Sequence, residues 1–160
     1  MVERVAVAVD GSAASLAAVA WAVTMVEPGG TVIGIDVKEL VNFYLEYATE
    51  AYLGGIVTED AMREWDAAAA ALAEQLHQLG REHQVNTEWE VVTMDEGEGL
   101  PASGFIRAAA AHHAQAVVVG QHRGFRKAEE LFGSFSRYVA VHSHLPTVIV
   151  PAPEPPPAAR

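Results

Sequence analysis

Cysteine is absent from the 160-residue chain, which excludes disulfides, thiol redox chemistry and a thiolate metal site. Positive charge is scarce. Ten Lys and Arg face 21 Asp and Glu, for a formal net charge of -11. Such a surface repels polyanions, so neither nucleic acid nor membrane is expected as a partner. No apolar run reaches the length of a membrane span, and "MVERVAVAVDGS" lacks a signal-peptide pattern, so a cytoplasmic protein is expected. Glycine is thin where dinucleotide enzymes need it: "DGSAAS" after the first strand has one Gly, and no Walker A loop occurs anywhere. A phosphoacceptor receiver also lacks its parts. Asp95 stands near the third strand's end, but no acidic pair follows the first strand and no Lys ends the fifth.

What is present is a repeating order of strand and helix. "VERVAVAVD" reads as a strand running into the turn Asp10-Gly11-Ser12, with Ser12 placed to cap the helix "AASLAAVAWAVTMV" that stops at Pro28-Gly29-Gly30. "TVIGIDV" is a second strand, and residues 58–84 form a long helix with Thr58 as its cap and Gly80 near its end. "NTEWEVVTM", "AVVVG" and "PTVIV" are further strands, separated by helices over "PASGFIRAAAAHHA" and "SFSRYVAVHSH". Strands that alternate with helices and are largely apolar predict an α/β fold, an open doubly wound five-stranded parallel sheet with helices on both faces. One domain over residues 1–151 is expected, followed by a Pro-rich disordered tail over 152–160, "APEPPPAAR". The segment "KELVNFYLEYATEAYLGG" carries Phe43, Tyr44, Tyr47 and Tyr52. It suits a short packed helix, a lid or a dimer contact.

The unusual stretch is "VVVGQHRGFRKAEELFGSFSRYVAVHSHLPTVIVP". Arg123, Arg126, Lys127 and Arg137 place four of the chain's ten Lys and Arg within 15 positions. A glycine-rich, basic turn entering a helix N-terminus is a pattern that binds small anions. In open α/β sheets the ligand lies at the carboxyl ends of strands where the winding reverses. If the first and fourth strands are neighbours, the turn after Asp10 faces the loop after Gly120. Gly120 and Gly124 would then let backbone approach a phosphate without an intervening Cβ, and Gly133 with Ser134 would open the last helix. Asp10 suits an Asx-turn, a ribose contact or a metal, and Ser134 suits a plain N-cap or a phosphate contact. The pairs His112/His113 and His142/His144 do not share a helix face, so no metal site is expected. No nucleophile and base pair emerges, and no catalytic residue is assigned.

"VAVDGS" together with the stretch from Val117 to Pro151 resembles the universal stress proteins, and the resemblance extends over nearly the whole chain to about Pro151. Its ATP-binding branch carries Gly-x2-Gly-x9-Gly-Ser/Thr. Here the spacing is Gly120-x3-Gly124-x8-Gly133-Ser134, so the middle Gly is one place late and Arg123 occupies its usual position. The resemblance implies an adenine-nucleotide alpha-hydrolase-like fold that binds ATP, with AMP or cyclic AMP as alternatives and Mg2+ accompanying the nucleotide. It implies Asp10 beside the adenosine, the Val37 backbone at the adenine edge, and Ser136 as a second hydroxyl near phosphate. It also implies a nucleotide-responsive homodimer paired through the last strand, with slow ATP hydrolysis open. The displaced Gly leaves a second reading: a family dimer without nucleotide that works through protein contacts.

Overall fold

The computed structural model describes residues 1–39, 59–95, 97–121 and 134–154. Five strands form one sheet: β1 (Val2–Ala8), β2 (Val26–Glu39), β3 (Asn86–Met94), β4 (Ala116–Gln121) and β5 (Thr147–Pro151). All paired strands are parallel, in the order β3-β2-β1-β4-β5. The described helices are α1 (Ala13–Met25), α2 (Glu59–His83), α3 (Pro101–Ala111) and α4 (Ser134–His142). The winding runs one way from β1 through β2 to β3, then restarts on the other side at β4. That reversal between β1 and β4 is the switch point expected from the sequence.

Alternate residues of each central strand feed two cores. Val5, Val7 and Val9 pack with Ala18, Val19 and Ala22 of α1 and with Leu76 of α2. Ala6, Ile33, Ile35, Val117 and Val119 pack on the opposite face with Phe105 of α3 and Val139 of α4. Helices therefore cover both faces, and the central strands are apolar on both sides. No helix among the described residues is long and apolar enough to cross a membrane.

Two boundaries differ most from the sequence reading. Strand β2 begins at Val26 rather than Thr31 and runs straight through Pro28-Gly29-Gly30. Val26 is buried and pairs with Val2, after which the register jumps so that Arg4 meets Thr31. The extra residues form an irregularity in the ladder. Gly29 donates its N–H to the Gln84 carbonyl at 3.3 Å, and the Asn86 side chain donates to the Gly29 carbonyl at 2.7 Å. Helix α3 stops at Ala111, because His113 takes a left-handed conformation (φ 55°) and reverses the chain before β4. The expected Thr58 cap, the aromatic segment at 40–53 and tail residues 155–160 lie outside the described residues. Residues 152–154 carry no regular secondary structure.

Candidate functional site

At the carboxyl ends of β1, β2 and β4 lies a cavity of about 210 Å³. Its walls are Ala8, Val9, Asp10, Ser15, Ile35, Val37, Pro101, Gly120 and Phe135. Of the residues singled out in the sequence, Asp10, Val37 and Gly120 meet here.

The turn after β1 is held by its own side chains. Asp10 Oδ1 accepts the Ser12 N–H at 2.9 Å, closing an Asx-turn around Gly11, whose φ is +82°. Ser12 then caps α1 by accepting the Ser15 N–H at 3.2 Å. The Ser15 hydroxyl donates to the Ser12 carbonyl at 3.0 Å and accepts the Asp10 N–H at 3.3 Å. Four short-range bonds thus set the direction of Asp10 at the cavity rim. The carboxylate has a structural duty as well as a candidate binding one.

Val37 owes its position to unequal strand lengths. The β1–β2 ladder ends at Ala8 opposite Ile35, where Val9 donates its N–H to the Ile35 carbonyl at 2.9 Å. Backbone groups of a parallel strand alternate sides, so Val37 turns its N–H and C=O the same way as Ile35. There β1 has already ended. Beyond Ile35, β2 continues to Glu39 against β3. One donor and one acceptor on Val37 therefore face the space past β1, beside the cavity. That pairing suits the edge of a flat heterocycle carrying both an acceptor and a donor.

Gly120 lines the cavity, and a second reason for its lack of a side chain is visible. A Cβ there would come within 2.5 Å of the backbone carbonyl of Ala14. The close approach of β4 to α1 requires glycine at this place, whatever the cavity holds. Ser134 is the first residue of α4 and is exposed. Ser136 is only 1% exposed and is not among the residues lining the cavity. Arg123, Gly124 and Gly133 lie outside the described residues.

Ser15, Pro101 and Phe135 were not singled out in the sequence. Pro101 opens α3 at a position where its missing N–H costs nothing. Phe135 leans on Phe105 with ring centroids 5.8 Å apart, bringing an aromatic wall to the cavity. Both start helices that follow the carboxyl ends of strands, which is the one signal that could have found them. For Ser15, the signal that could have found it is its spacing of three from the Ser12 cap.

On the other side of β2, Asp36 and Lys38 form a buried pair at 3.5 Å. Burial raises the Asp36 carboxyl above its usual range; Lys38 opposes this by charge and hydrogen bond, and the Asp10 charge adds to it. No group of three or more His, Cys, Asp or Glu among the described residues is arranged to hold a metal ion. His112 instead joins an ionic cluster at the amino end of the sheet. Its Nδ1 lies 3.0 Å from Glu88 and its Nε2 2.7 Å from Glu90.

Comparison with known proteins supports the fold. A model of the universal stress protein family matches residues 1–151. Among solved structures, the chain is similar to a protein of that family from Burkholderia pseudomallei, at 16% identity and a TM-score of 0.67, covering 94% of this chain and 96% of that one. It is also similar to an Arabidopsis thaliana family protein solved with AMP bound, at 16% identity and a TM-score of 0.63, covering 98% of each chain. A universal stress protein in complex with cAMP matches at 18% identity and a TM-score of 0.58, over 94% of this chain and 98% of that one. No curated protein sequence matches the chain.

Proposed function

Because the chain belongs to the universal stress protein family, we propose that it binds an adenine nucleotide, ATP foremost, in the cavity at the β1–β4 switch point. The observation that carries this reading is Val37, whose backbone donor and acceptor face past the end of β1 beside an apolar cavity. An adenine edge carries the complementary pair. Ala8, Val9, Ile35 and Val37 supply the apolar contacts a purine ring needs, and Phe135 adds an aromatic one. The cavity of about 210 Å³ suits a base with part of its sugar. Asp10 at the rim is a natural acceptor for ribose hydroxyls.

The phosphates then extend toward Gly120 and the start of α4, where Ser134 offers a hydroxyl and the positive end of a helix dipole. Gly124, Gly133 and the guanidinium of Arg123 complete that anion site in this reading. Mg2+ arrives on the phosphates rather than in a protein cage. The relatives solved with AMP and with cAMP support an adenine ligand.

In this reading the protein is a homodimer paired through β5, a five-residue edge strand whose Val148 and Ile149 are only partly buried. Nucleotide occupancy sets its state in a stress response. The direct test is to denature freshly purified protein and identify released nucleotides by mass spectrometry, with titration of ATP and adenosine by calorimetry and light scattering for the dimer. An adenine nucleotide is expected in the released fraction. Empty protein that binds neither ATP nor adenosine would overturn the reading.

A further inference from the structure

Among the described residues, the end of β2 that carries Val37 is an overhang, with a strand on one side only. Asp36 to Glu39 pair with Val91 to Met94 of β3, itself an edge strand, while β1 has stopped at Ala8. A two-stranded corner of this kind is marginal unless something packs it. Side chains alternate across the sheet, so Asp36 and Lys38 lie on the face opposite the Val37 side chain. On that face stands Trp65 of α2.

Lys38 makes three contacts there. Its ammonium is 3.5 Å from Asp36 Oδ2, donates to the Trp65 carbonyl at 3.1 Å, and sits 4.4 Å above the Trp65 ring. The Lys38 and Asp36 side chains are 10% and 8% exposed. A lysine so far from water is held by its partners, and here two of the three contacts are on another element. The result is a charged tie between α2 and the tip of β2, one residue from the backbone that faces the cavity.

We infer that Lys38 is a positioning residue for the ligand site: by anchoring the β2 overhang to Trp65 it holds the Val37 N–H and C=O at the cavity. This rests on the adenine reading of that site for its ligand consequence, but its structural half does not. Lys38 touches no ligand in this scheme. It acts through Val37, so loss of the tie weakens the base contact and leaves the phosphate contacts unchanged. ATP and adenosine should therefore lose affinity by the same factor.

The test compares the full-length wild type with Lys38→Met and with the double variant Asp36→Asn/Lys38→Met. The single variant strands a buried carboxylate and can unfold for that reason; the double variant removes both charges and keeps the apolar stem over Trp65. In the double variant, the backbone amides at positions 36 and 38, which face β3, should exchange with solvent about tenfold faster, the change expected from one lost charge-assisted contact. Adenosine and ATP should both bind about tenfold more weakly while the variant still unfolds as one cooperative, fully folded species. Unchanged exchange at these amides overturns the inference even if the wild type binds no nucleotide. Faster exchange with wild-type adenosine affinity overturns it too. A wild type that binds neither ligand defeats only the adenine reading, and amide exchange then decides whether Lys38 holds the overhang.

Discussion

Gly120 of β4 stands so close to Ala14 of α1 that any side chain on it would meet the Ala14 backbone carbonyl at 2.5 Å. A motif glycine facing a candidate phosphate site is therefore also a packing glycine. The neighbour it would strike is main chain, which cannot rotate away.

Gly120→Ala should destabilise the fold by about 1–3 kcal/mol, the usual cost of forcing a methyl group into a packed interface. Denaturant unfolding measures this directly. Stability equal to the wild type would show that α1 shifts freely, and Gly120 would revert to a purely ligand-facing role.

Asp10 has two duties that substitution can separate. Asparagine keeps an oxygen to accept the Ser12 N–H, so Asp10→Asn should preserve the Asx-turn and change stability by no more than about 0.5 kcal/mol. Its loss of charge should weaken adenosine about tenfold if the carboxylate accepts ribose hydroxyls. Asp10→Ala should lose both turn and ligand. Equal adenosine affinity in wild type and Asp10→Asn would leave Asp10 a turn residue alone.

Arg123 occupies the place where the glycine pattern of the family breaks. We propose that its guanidinium replaces the missing backbone contact, since a planar fork of donors suits phosphate. Arg123→Ala should then weaken ATP tenfold to roughly a hundredfold while leaving adenosine nearly unchanged. Added salt should narrow the gap. Equal losses for both ligands, or none, would mark Arg123 as a solvated side chain.

Glu88 sets part of the acid sensitivity of the fold. Burial works to raise its carboxyl, but hydrogen bonds and charge from Arg4 and His112 win, so it is held below its usual range. Arg4 Nη2 reaches both Glu88 oxygens at 3.0 Å, and its Nε donates to the His112 carbonyl at 2.9 Å. A depressed carboxyl stabilises the fold above its ordinary range, and that contribution vanishes as pH falls through the depressed value. Asp36, which is raised, has the opposite sign: its contribution is present below the ordinary range and lost as pH climbs through the raised value. Glu88→Gln should therefore lower stability at neutral pH, with the difference from wild type closing below the usual glutamate range. Melting curves over a pH series read this out; a difference that stays constant down to low pH would sink it.

The order of elements was legible because it depends on local pattern. "NTEWEVVTM" was bounded to the residue, and Ser12 is the cap its position announced. Pro28-Gly29-Gly30 misled, since such residues ordinarily break a strand; distant bonds from Gln84 and Asn86 hold that segment in β2. The family resemblance implies Ser136 as a second hydroxyl near phosphate, and its burial on the inner face of α4 is something only the helix placement shows.

By itself, the sequence determined an α/β sheet wound from alternating strands and helices and the absence of thiol chemistry, and it pointed to a candidate site at the carboxyl ends of the first and fourth strands. Those follow from periodicity, composition and a topological rule, none of which needs a distant contact. Only the tertiary structure decided that β2 outruns β1 and turns the Val37 backbone to the cavity. It alone set Gly120 against Ala14 and lodged Lys38 between Asp36 and Trp65. Each of these depends on relative strand length, register or helix placement, which join residues far apart in the chain and leave no periodic trace in it.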